Sequence, residues 1–329
     1  MNKMKSLFSS LLFLGFLFLA AWAVAKPPFK YVWGTAHHIL PETHSDESGY
    51  FSLCEGNNGR IYVGTAKYNH NAYLVEFDPV TAQQRIVVDA HKICGLNAKG
   101  YAAQAKFHTR NYVGHSGVIY AGTKQGYRKK GDDSKYLGGF LITYNPRNNT
   151  AHNLGMPYKK QGIADVVADE SRGLAYVVTC EDQHWMLYDF ATKKFTELGP
   201  MLTPYATTLM DAEGKAHSLT KDFHLVTYDP ATKKVAQRPI EIGGKPFVRE
   251  NGSSIPTWNL AADGRTAWLI LMNDASLISI DLSSRGKKVK GANHGLMLEG
   301  KRPDSRSALT IAPDGKIYTL ISVQNTTGF

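Results

Sequence analysis

Among the histidines of this sequence, His108 has notably basic surroundings. It lies in the segment Lys106-Phe107-His108-Thr109-Arg110, and the segment Gly122-Thr123-Lys124-Gln125-Gly126-Tyr127-Arg128 follows it along the chain. A histidine or a tyrosine can move a proton in general acid–base catalysis, and neighbouring cations can hold an anionic substrate. A single histidine in a strand can also be purely structural. The sequence leaves both roles open for His108.

A second pair of reactive side chains, Cys180 and His184, could contribute to a metal site together with His152, His217 or His224. The spacing of the pair matches none of the standard zinc patterns. The sequence alone does not decide whether the protein holds a structural zinc or calcium ion as a cofactor. The sequence contains no phosphate-binding loop, dinucleotide-binding glycine pattern, HExxH motif or GxSxG motif. The reaction classes that depend on those motifs are not indicated.

A repeated strand pattern would position these residues. Each copy contains a segment close to Gly-x-Ile/Ala-Tyr, in which the glycine precedes a strand. A later strand of the copy ends in an aromatic or apolar residue that is followed by Asp or Asn. The glycines are Gly59, Gly117, Gly173, Gly214, Gly264 and Gly315, and the strand-ending residues are Asp78, Asn145, Asp189, Asp229 and Asp281. Because Asp bonds its own backbone and a following Pro presets φ, the pattern predicts a tight turn between third and fourth strands.

The repetition of this four-stranded antiparallel unit predicts an all-β fold, a β-propeller. A single such unit cannot bury both of its faces, so copies must stack around an axis. A two-sheet sandwich is the alternative, but a sandwich does not need the same signature at every turn. Five units are complete in the sequence, and a sixth stops at Phe329 after its second strand. We expect either a C-terminally incomplete copy of a longer propeller or six blades closed by an irregular seam.

In a propeller, the loops between second and third strands and those between blades emerge on one face near the axis, which usually binds ligands. The residues that the pattern places there are mostly basic or histidine. They are Lys67, His70, His108, Lys124, Tyr127, Arg128, Lys129, Lys130, Tyr136, Cys180, His184, Lys221, His224, Arg249, Arg302 and Arg306. We predict that this face binds an anionic ligand, although Lys129 and Lys130 could simply be solvated.

The composition is that of a basic globular protein. The chain has 329 residues, 38 Lys and Arg against 28 Asp and Glu, and a formal net charge of +10. With 43% hydrophobic and 20% charged residues, it is neither disordered nor collagenous. Its three cysteines, Cys54, Cys94 and Cys180, are too few for a disulfide scaffold, and a Cys54–Cys94 bridge is left open.

The first 25 residues read as a secretory signal peptide. Lys3 and Lys5 precede an apolar run from Leu7 to Ala21, and Ala23-Val24-Ala25 provides a cleavage signature. An uncleaved membrane anchor is the alternative, but the run is short for a span. We expect residues 26–329 to form a single propeller domain that is secreted or periplasmic. This location argues against nucleic acid and, after cleavage, against a membrane as the partner; we expect a monomer.

Three segments of the chain resemble the secreted bacterial β-propellers that include the ulvan lyases. They are Lys106-Phe107-His108-Thr109, Gly117-Val118-Ile119-Tyr120-Ala121-Gly122-Thr123, and Arg306-Ser307-Ala308-Leu309 before Asp314-Gly315. The resemblance covers most of residues 50–329. It implies a seven-bladed architecture with the C-terminal blade incomplete here, and β-elimination at a uronic acid of a sulfated polysaccharide. Some of these enzymes carry a structural zinc.

The resemblance also implies roles for individual residues. A cation would neutralise the uronate carboxylate, a histidine or tyrosine would remove the C5 proton, and an acid would protonate the departing oxygen. The implied catalytic residues are His108, Tyr127, His184 and Arg306, with Arg306 as the carboxylate clamp. The implied substrate-binding residues are Lys124, Arg128 and Arg249. Lys124 stands where relatives often have a histidine, and Cys180 where a tyrosine is expected.

Two other functions compete with a lyase. A non-catalytic glycan-binding or interaction propeller would use the same basic face without turnover. A hydrolase of the lactonase type would need a metal held by carboxylates at the axis, whereas the axial loops are rich in Lys, Arg and His rather than Asp and Glu.

Overall fold

The structure is a computed structural model that describes residues 34–46, 52–127, 135–248, 257–271, 276–297, 301–304, 309–319 and 321–324. The chain divides into two units, Met1–His38 and Ile39–Phe329, and the fold below is that of the second. The predicted signal peptide and the predicted site residues Arg128, Arg249 and Arg306 lie outside the described residues. Among the described residues, none of the helices has the length and apolar character needed to cross a membrane.

The second unit consists of antiparallel sheets that follow one another along the chain, and we call each sheet a blade. Blade 1 comprises β1 (Leu53–Glu55), β2 (Ile61–Gly64), β3 (Tyr73–Phe77) and β4 (Gln84–Asp89). Blade 2 comprises β5 (Lys106–Phe107), β6 (Tyr112–Val113), β7 (Ile119–Lys124), β8 (Leu141–Asn145) and β9 (Thr150–Gly155). Blade 3 comprises β10 (Gly162–Asp169), β11 (Leu174–Cys180), β12 (Trp185–Asp189) and β13 (Lys194–Glu197).

The later blades follow the same strand order. Blade 4 comprises β14 (Leu209–Met210), β15 (Ala216–Leu219), β16 (Leu225–Asp229) and β17 (Lys234–Arg238). Blade 5 comprises β20 (Thr257–Leu260), β21 (Thr266–Ile270), β22 (Ser276–Asp281) and β23 (Val289–Leu296). Two further strands join its outer edge: β18 (Ile240–Ile242) pairs in parallel with β23, and β19 (Lys245–Pro246) pairs antiparallel with β18. Two strand pairs come last, β25 (Leu309–Ile311) with β26 (Ile317–Thr319), and β24 (Lys301–Asp304) with β27 (Ser322–Gln324).

Helical structure in the described residues is confined to short connecting segments. One helical turn, α1 (Ala90–Cys94), follows blade 1, and 3-10 turns occupy Pro41–Thr43 and Gly100–Ala102. The side chain of Asp89 caps α1 by accepting a hydrogen bond from the backbone N–H of Lys92 at 3.0 Å. The segment from α1 to β5 carries the chain from the outer strand of blade 1 to the first strand of blade 2.

The turns between third and fourth strands have the predicted chemistry. In blade 1, Oδ1 of Asp78 accepts a hydrogen bond from the backbone N–H of Val80 at 2.9 Å. The Asp or Asn at the same place in blades 2 to 5 accepts the equivalent bond, from the residue two positions on. The glycines that precede the second strands all have positive φ, between 64° and 87°, which favours glycine. These contacts explain the repeated signature of the sequence.

The blades pack face to face, with a hydrophobic cluster between each neighbouring pair. Side chains alternate along β11: Ala175 and Val177 join the cluster shared with blade 2, whereas Tyr176 and Val178 join the cluster shared with blade 4. Such a strand is buried on both sides, so it can only exist between two other sheets. Further clusters link blade 1 to blade 2, blade 4 to blade 5, and blade 5 to β25.

Residues in or next to the first strands of blades 2 to 5 line a common cavity. Residues of blade 2 (110 and 112), blade 3 (165–167), blade 4 (207–210) and blade 5 (258–260) line it, and its volume is about 300 Å³. We call it the axial cavity. Sheets that stack face to face with their first strands around one space define a β-propeller. The predicted fold class is therefore confirmed.

The cysteines are all free thiols, so the Cys54–Cys94 bridge is not formed. Burial raises the pKa of the Cys54 thiol and of the Cys94 thiol to about 12, which leaves almost no thiolate at neutral pH. We expect a maleimide reagent to modify Cys54 and Cys94 slowly in the folded protein and rapidly in urea, as followed by peptide mass spectrometry. Rapid labelling of either thiol before unfolding would contradict this placement.

Candidate functional site

In the part of the chain that the structure describes, a cluster of reactive side chains lies where blade 2 meets blade 3. Lys106 is paired with Lys124 across β5 and β7, and Gly162 is paired with Cys180 across β10 and β11. His108 follows β5 directly. Lys106 and Lys124 are only 4% and 5% exposed, so two ammonium groups lie within the protein next to a histidine. We call Lys106, His108, Lys124 and Cys180 the His108 site.

The imidazole of His108 is held in one orientation by blade 3. Its Nδ1 lies 2.8 Å from the backbone oxygen of Ile163 and 3.7 Å from Sγ of Cys180. A carbonyl oxygen can only accept, so Nδ1 carries the hydrogen and Nε2 carries the lone pair. Burial, followed by the positive charges of Lys124 and Lys106, lowers the pKa of His108 to about 3. His108 is thus a neutral base with a defined tautomer at neutral pH.

This protonation state gives a direct prediction for His108. The folded imidazole should stay neutral as the pH falls from 6.5 to about 3, whereas the same side chain in the unfolded chain takes up a proton in that range. The unfolded state then binds more protons, so His108 contributes a loss of stability as the pH falls through this window. The proton NMR shift of its Cε1–H should not titrate there. A midpoint near 6.5 would contradict the placement.

Lys124 is bound by a carboxylate and a phenol. Its Nζ forms an ion pair with Oε1 of Glu181 and lies 3.3 Å from the hydroxyl of Tyr136 and 3.4 Å from Sγ of Cys180. The hydroxyl of Tyr136 donates to the same Oε1 at 2.7 Å, and the backbone N–H of Gly162 donates to Oε2 at 2.8 Å. One carboxylate therefore accepts from an ammonium group, a phenol and an amide, which fixes the position of the lysine.

Two buried glutamines hold the loops that supply these partners. Oε1 of Gln125 accepts from the backbone N–H of Leu137 at 2.7 Å, which fixes the segment containing Tyr136. Gln161 accepts from the backbone N–H of Asp182 at 2.9 Å and donates to its side chain at 2.6 Å, which fixes the segment containing Glu181. Buried amide side chains that satisfy loop backbone groups make such loops rigid. The loops that carry Tyr136 and Glu181, the partners of Lys124 in the His108 site, are therefore held in fixed positions.

Gly162 leaves the space in which Lys124 and Cys180 meet. A Cβ at this position would lie 2.7 Å from Sγ of Cys180 and 2.7 Å from Cγ of Lys124. We expect Gly162→Ala to lower the free energy of unfolding by about 1–3 kcal/mol, since overpacking forces neighbouring side chains to shift. A urea titration measures it. An unchanged midpoint would show that the two side chains are not packed against Gly162.

Two tyrosines form the outer part of the site. Nζ of Lys106 donates to the hydroxyl of Tyr68 at 2.9 Å and lies 4.5 Å from the centroid of that ring. Tyr127 is 69% exposed, and its ring centroid is 5.5 Å from that of Tyr68 and 5.8 Å from Nζ of Lys106. A hydrogen bond with Tyr68 raises the pKa of Tyr127, so its phenol is protonated at neutral pH. An exposed aromatic ring, that of Tyr127, therefore lies beside the buried ammonium group of Lys106.

The structure places His184 with other partners. Its Nδ1 lies 2.6 Å from Oε1 of Glu197 on the outer strand of blade 3, and its ring stacks on Tyr158 with centroids 3.9 Å apart. Cys180, by contrast, lies against Lys124 and His108. The two residues considered as metal ligands therefore face different neighbours.

The other histidines considered as metal ligands are bound to polar side chains or lie on other strands. His217 contacts Asp211 and Thr227, each at 2.9 Å, and His152 lies on β9. Nδ1 of His224 lies 2.9 Å from Nε2 of Gln237. Across the part of the chain that the structure describes, three or more His, Cys, Asp or Glu side chains do not converge in a way that could hold a metal ion.

The sequence analysis did not identify two acidic residues, Glu181 of the His108 site region and Asp165 of the axial cavity. Glu181 binds Lys124, and Asp165 lies with Oδ1 3.8 Å from Nε of Arg110 in the axial cavity. Burial raises the pKa of Asp165 to about 6. Glu181 directly follows Cys180 in the sequence, and this position next to a candidate site residue could have indicated it. Asp165 lies in the apolar strand β10 and carried no motif.

Comparisons with known proteins agree with the fold. No protein-family profile matches the chain, and no curated protein matches it in sequence. Among solved structures, the periplasmic gluconolactonase of Pseudomonas aeruginosa is similar with a TM-score of 0.54 and 11% identity, over 81% of this chain and 77% of that one. A protein from Lactobacillus plantarum gives 0.52 and 13% identity, over 82% and 80%.

The major allergen Mala s 1 of Malassezia sympodialis is also similar, with a TM-score of 0.50 and 14% identity, over 81% of this chain and 85% of the allergen. At these identities the likeness extends to the fold alone. The chain is a β-propeller with a basic, histidine-containing site between its second and third blades.

Proposed function

We propose that this protein is a polysaccharide lyase that cleaves an anionic, sulfated, uronic-acid-containing polysaccharide of the ulvan type by β-elimination. The observation that supports this most strongly is the neutral imidazole of His108 beside the buried ammonium groups of Lys106 and Lys124. Elimination at a uronate needs a base that is free of its proton and positive charge near the carboxylate. His108 supplies a deprotonated imidazole, and Lys106 and Lys124 supply the positive charge.

The reaction would proceed as follows. Lys106 and Lys124 would stabilise the negative charge that develops on the uronate carboxylate when the C5 proton is removed. Nε2 of His108 would take that proton, and the C5–H electron pair would form the C4–C5 double bond as the C4–O bond breaks. Tyr127, which is protonated at neutral pH, would donate a proton to the departing oxygen. The sequence-based roles of Arg306 as the catalytic carboxylate clamp, and of Arg128 and Arg249 in substrate binding, remain predictions.

The cellular setting belongs to the same proposal. A cleaved signal peptide would place a monomeric protein outside the cytoplasm, in the periplasm or the medium, where acidic polysaccharides are met. The exposed ring of Tyr127, which lies beside the buried Lys106, would contact the sugar. Neither nucleic acid nor a membrane is the proposed partner.

The test is an assay of the purified protein with ulvan and with other polyuronates, followed by the ultraviolet absorbance of the unsaturated uronate that elimination produces. We expect an absorbance increase with at least one polymer and none with a neutral glucan. If the absorbance stays constant with all the polyuronates, the lyase proposal is wrong.

The second candidate function is glycan binding without turnover. It is favoured by the ion pair of Lys124 with Glu181, which already offsets one positive charge, and by Cys180 at the place of an expected tyrosine. Binding would then weaken with salt because exposed ion pairs are screened. Isothermal titration at two salt concentrations, run beside the ultraviolet assay, separates the candidates: binding with no unsaturated product supports this second function.

A further inference from the structure

The axial cavity is a second candidate site, distinct from the His108 site. None of Lys106, His108 and Lys124 lines it. Its volume of about 300 Å³ is at the small end of ligand pockets in proteins. A space of this size suits a single small ring rather than an oligomer.

The cavity walls combine one charge pair with neutral groups. Arg110 and Asp165 are the charged residues that line the cavity, and Nε of Arg110 lies 3.8 Å from Oδ1 of Asp165. This separation is longer than a hydrogen bond. The other carboxylate oxygen, Oδ2, accepts from the backbone N–H of Thr208 at 3.1 Å. The remaining lining residues are Tyr112, Val166, Val167, Thr207, Leu209, Met210, Trp258, Asn259 and Leu260.

The charge pair selects against ionic ligands. An anion that approaches Arg110 would also meet the carboxylate of Asp165, and a cation that approaches Asp165 would meet the guanidinium. A hydroxyl group, by contrast, can donate to Oδ1 of Asp165 and accept from a guanidinium N–H at the same time. The apolar wall that includes Leu209 and Trp258 suits the C–H face of a ring.

We propose that the axial cavity binds one neutral sugar ring, whose adjacent hydroxyl groups bridge Arg110 and Asp165. The site does not depend on the proposed lyase activity. It would still bind a free monosaccharide if the protein did not cleave a polysaccharide. It would also hold the neutral sugar without using either lysine of the His108 site.

The test is ligand-observed NMR of the protein with the neutral monosaccharides glucose, galactose, mannose, xylose and rhamnose, with glucuronate and glucosamine as charged comparators. The variants are Arg110→Gln and, as a second cavity variant, Asp165→Asn. The matched control is Arg172→Gln, because Arg172 also pairs with a carboxylate of β10, that of Asp169 at 2.8 Å, but does so outside the cavity. Circular dichroism establishes which variants are folded.

We expect at least one neutral monosaccharide to bind the wild type more tightly than either charged comparator. Its affinity should fall at least about tenfold in the folded cavity variants, since hydrogen bonds to charged groups are lost. It should be unchanged in Arg172→Gln. The proposal is overturned if no neutral sugar binds, if the charged sugars bind as well, or if Arg172→Gln weakens binding as much as the cavity variants do. A failed polyuronate assay would count against the lyase alone.

Discussion

Replacing His108 by alanine is expected to lower the rate of uronate elimination by about a hundredfold to ten-thousandfold, the usual contribution of a general base. The imidazole is neutral, and its Nδ1–H is fixed on the backbone oxygen of Ile163, so Nε2 carries the lone pair of the proposed base. Alanine removes that lone pair. The initial rate of absorbance increase with a cleaved polyuronate measures the effect.

The matched control for this variant is His184→Ala, which also tests the catalytic role that the resemblance implies for His184. Because His184 binds Glu197 and stacks on Tyr158, we expect its loss to change the elimination rate little. Both variants should show the circular dichroism of the wild type. Equal losses in the two variants would contradict the assignment of the base, and so would full activity in His108→Ala.

Lys124→Met is expected to lower the free energy of unfolding by about 3–5 kcal/mol, the cost of removing one partner from a buried ion pair. The side chains of Lys124 and Glu181 are only 7% and 14% exposed. Without the lysine, the carboxylate of Glu181 would be left in the interior with the hydroxyl of Tyr136 and the N–H of Gly162. Urea titration measures the change.

A double variant isolates the cause of that loss. Lys124→Met combined with Glu181→Gln removes both charges, so we expect it to recover much of the stability that Lys124→Met loses. Lys316→Met is the control, because Lys316 pairs with Asp314 at the surface and should cost at most about 1 kcal/mol. If Lys124→Met costs no more than Lys316→Met, the Lys124–Glu181 pair is not buried as described.

The fold could be predicted because every repeat contains the same turn-forming residues. Asp78 and its counterparts bond the backbone two residues on, and Gly59 and its counterparts adopt positive φ. Both effects act over a few residues, so they leave a signature that can be read without knowing the fold. The alternation of Tyr176 and Val177 between two clusters then follows from burial on both sides of a strand.

The arrangement of the site could be predicted only in part. Sequence analysis singled out His108 and Lys124, and the structure brings them together at the junction of two blades. It did not foresee that Glu181 binds Lys124 or that His184 turns to the outer strand, because these contacts depend on loop conformations. Glu181 has a φ of 89°, an unusual conformation that residue type alone does not indicate.

The measurement that tests the central claim most directly is the mass of the products formed from a polyuronate in heavy-oxygen water. Elimination at a neutral histidine adds no water, so we expect products with an unsaturated end and no solvent oxygen, and their yield should collapse in His108→Ala. Products that carry the heavy oxygen would show hydrolysis instead. Those products, or no products at all, would contradict the account of His108 as the base of a lyase.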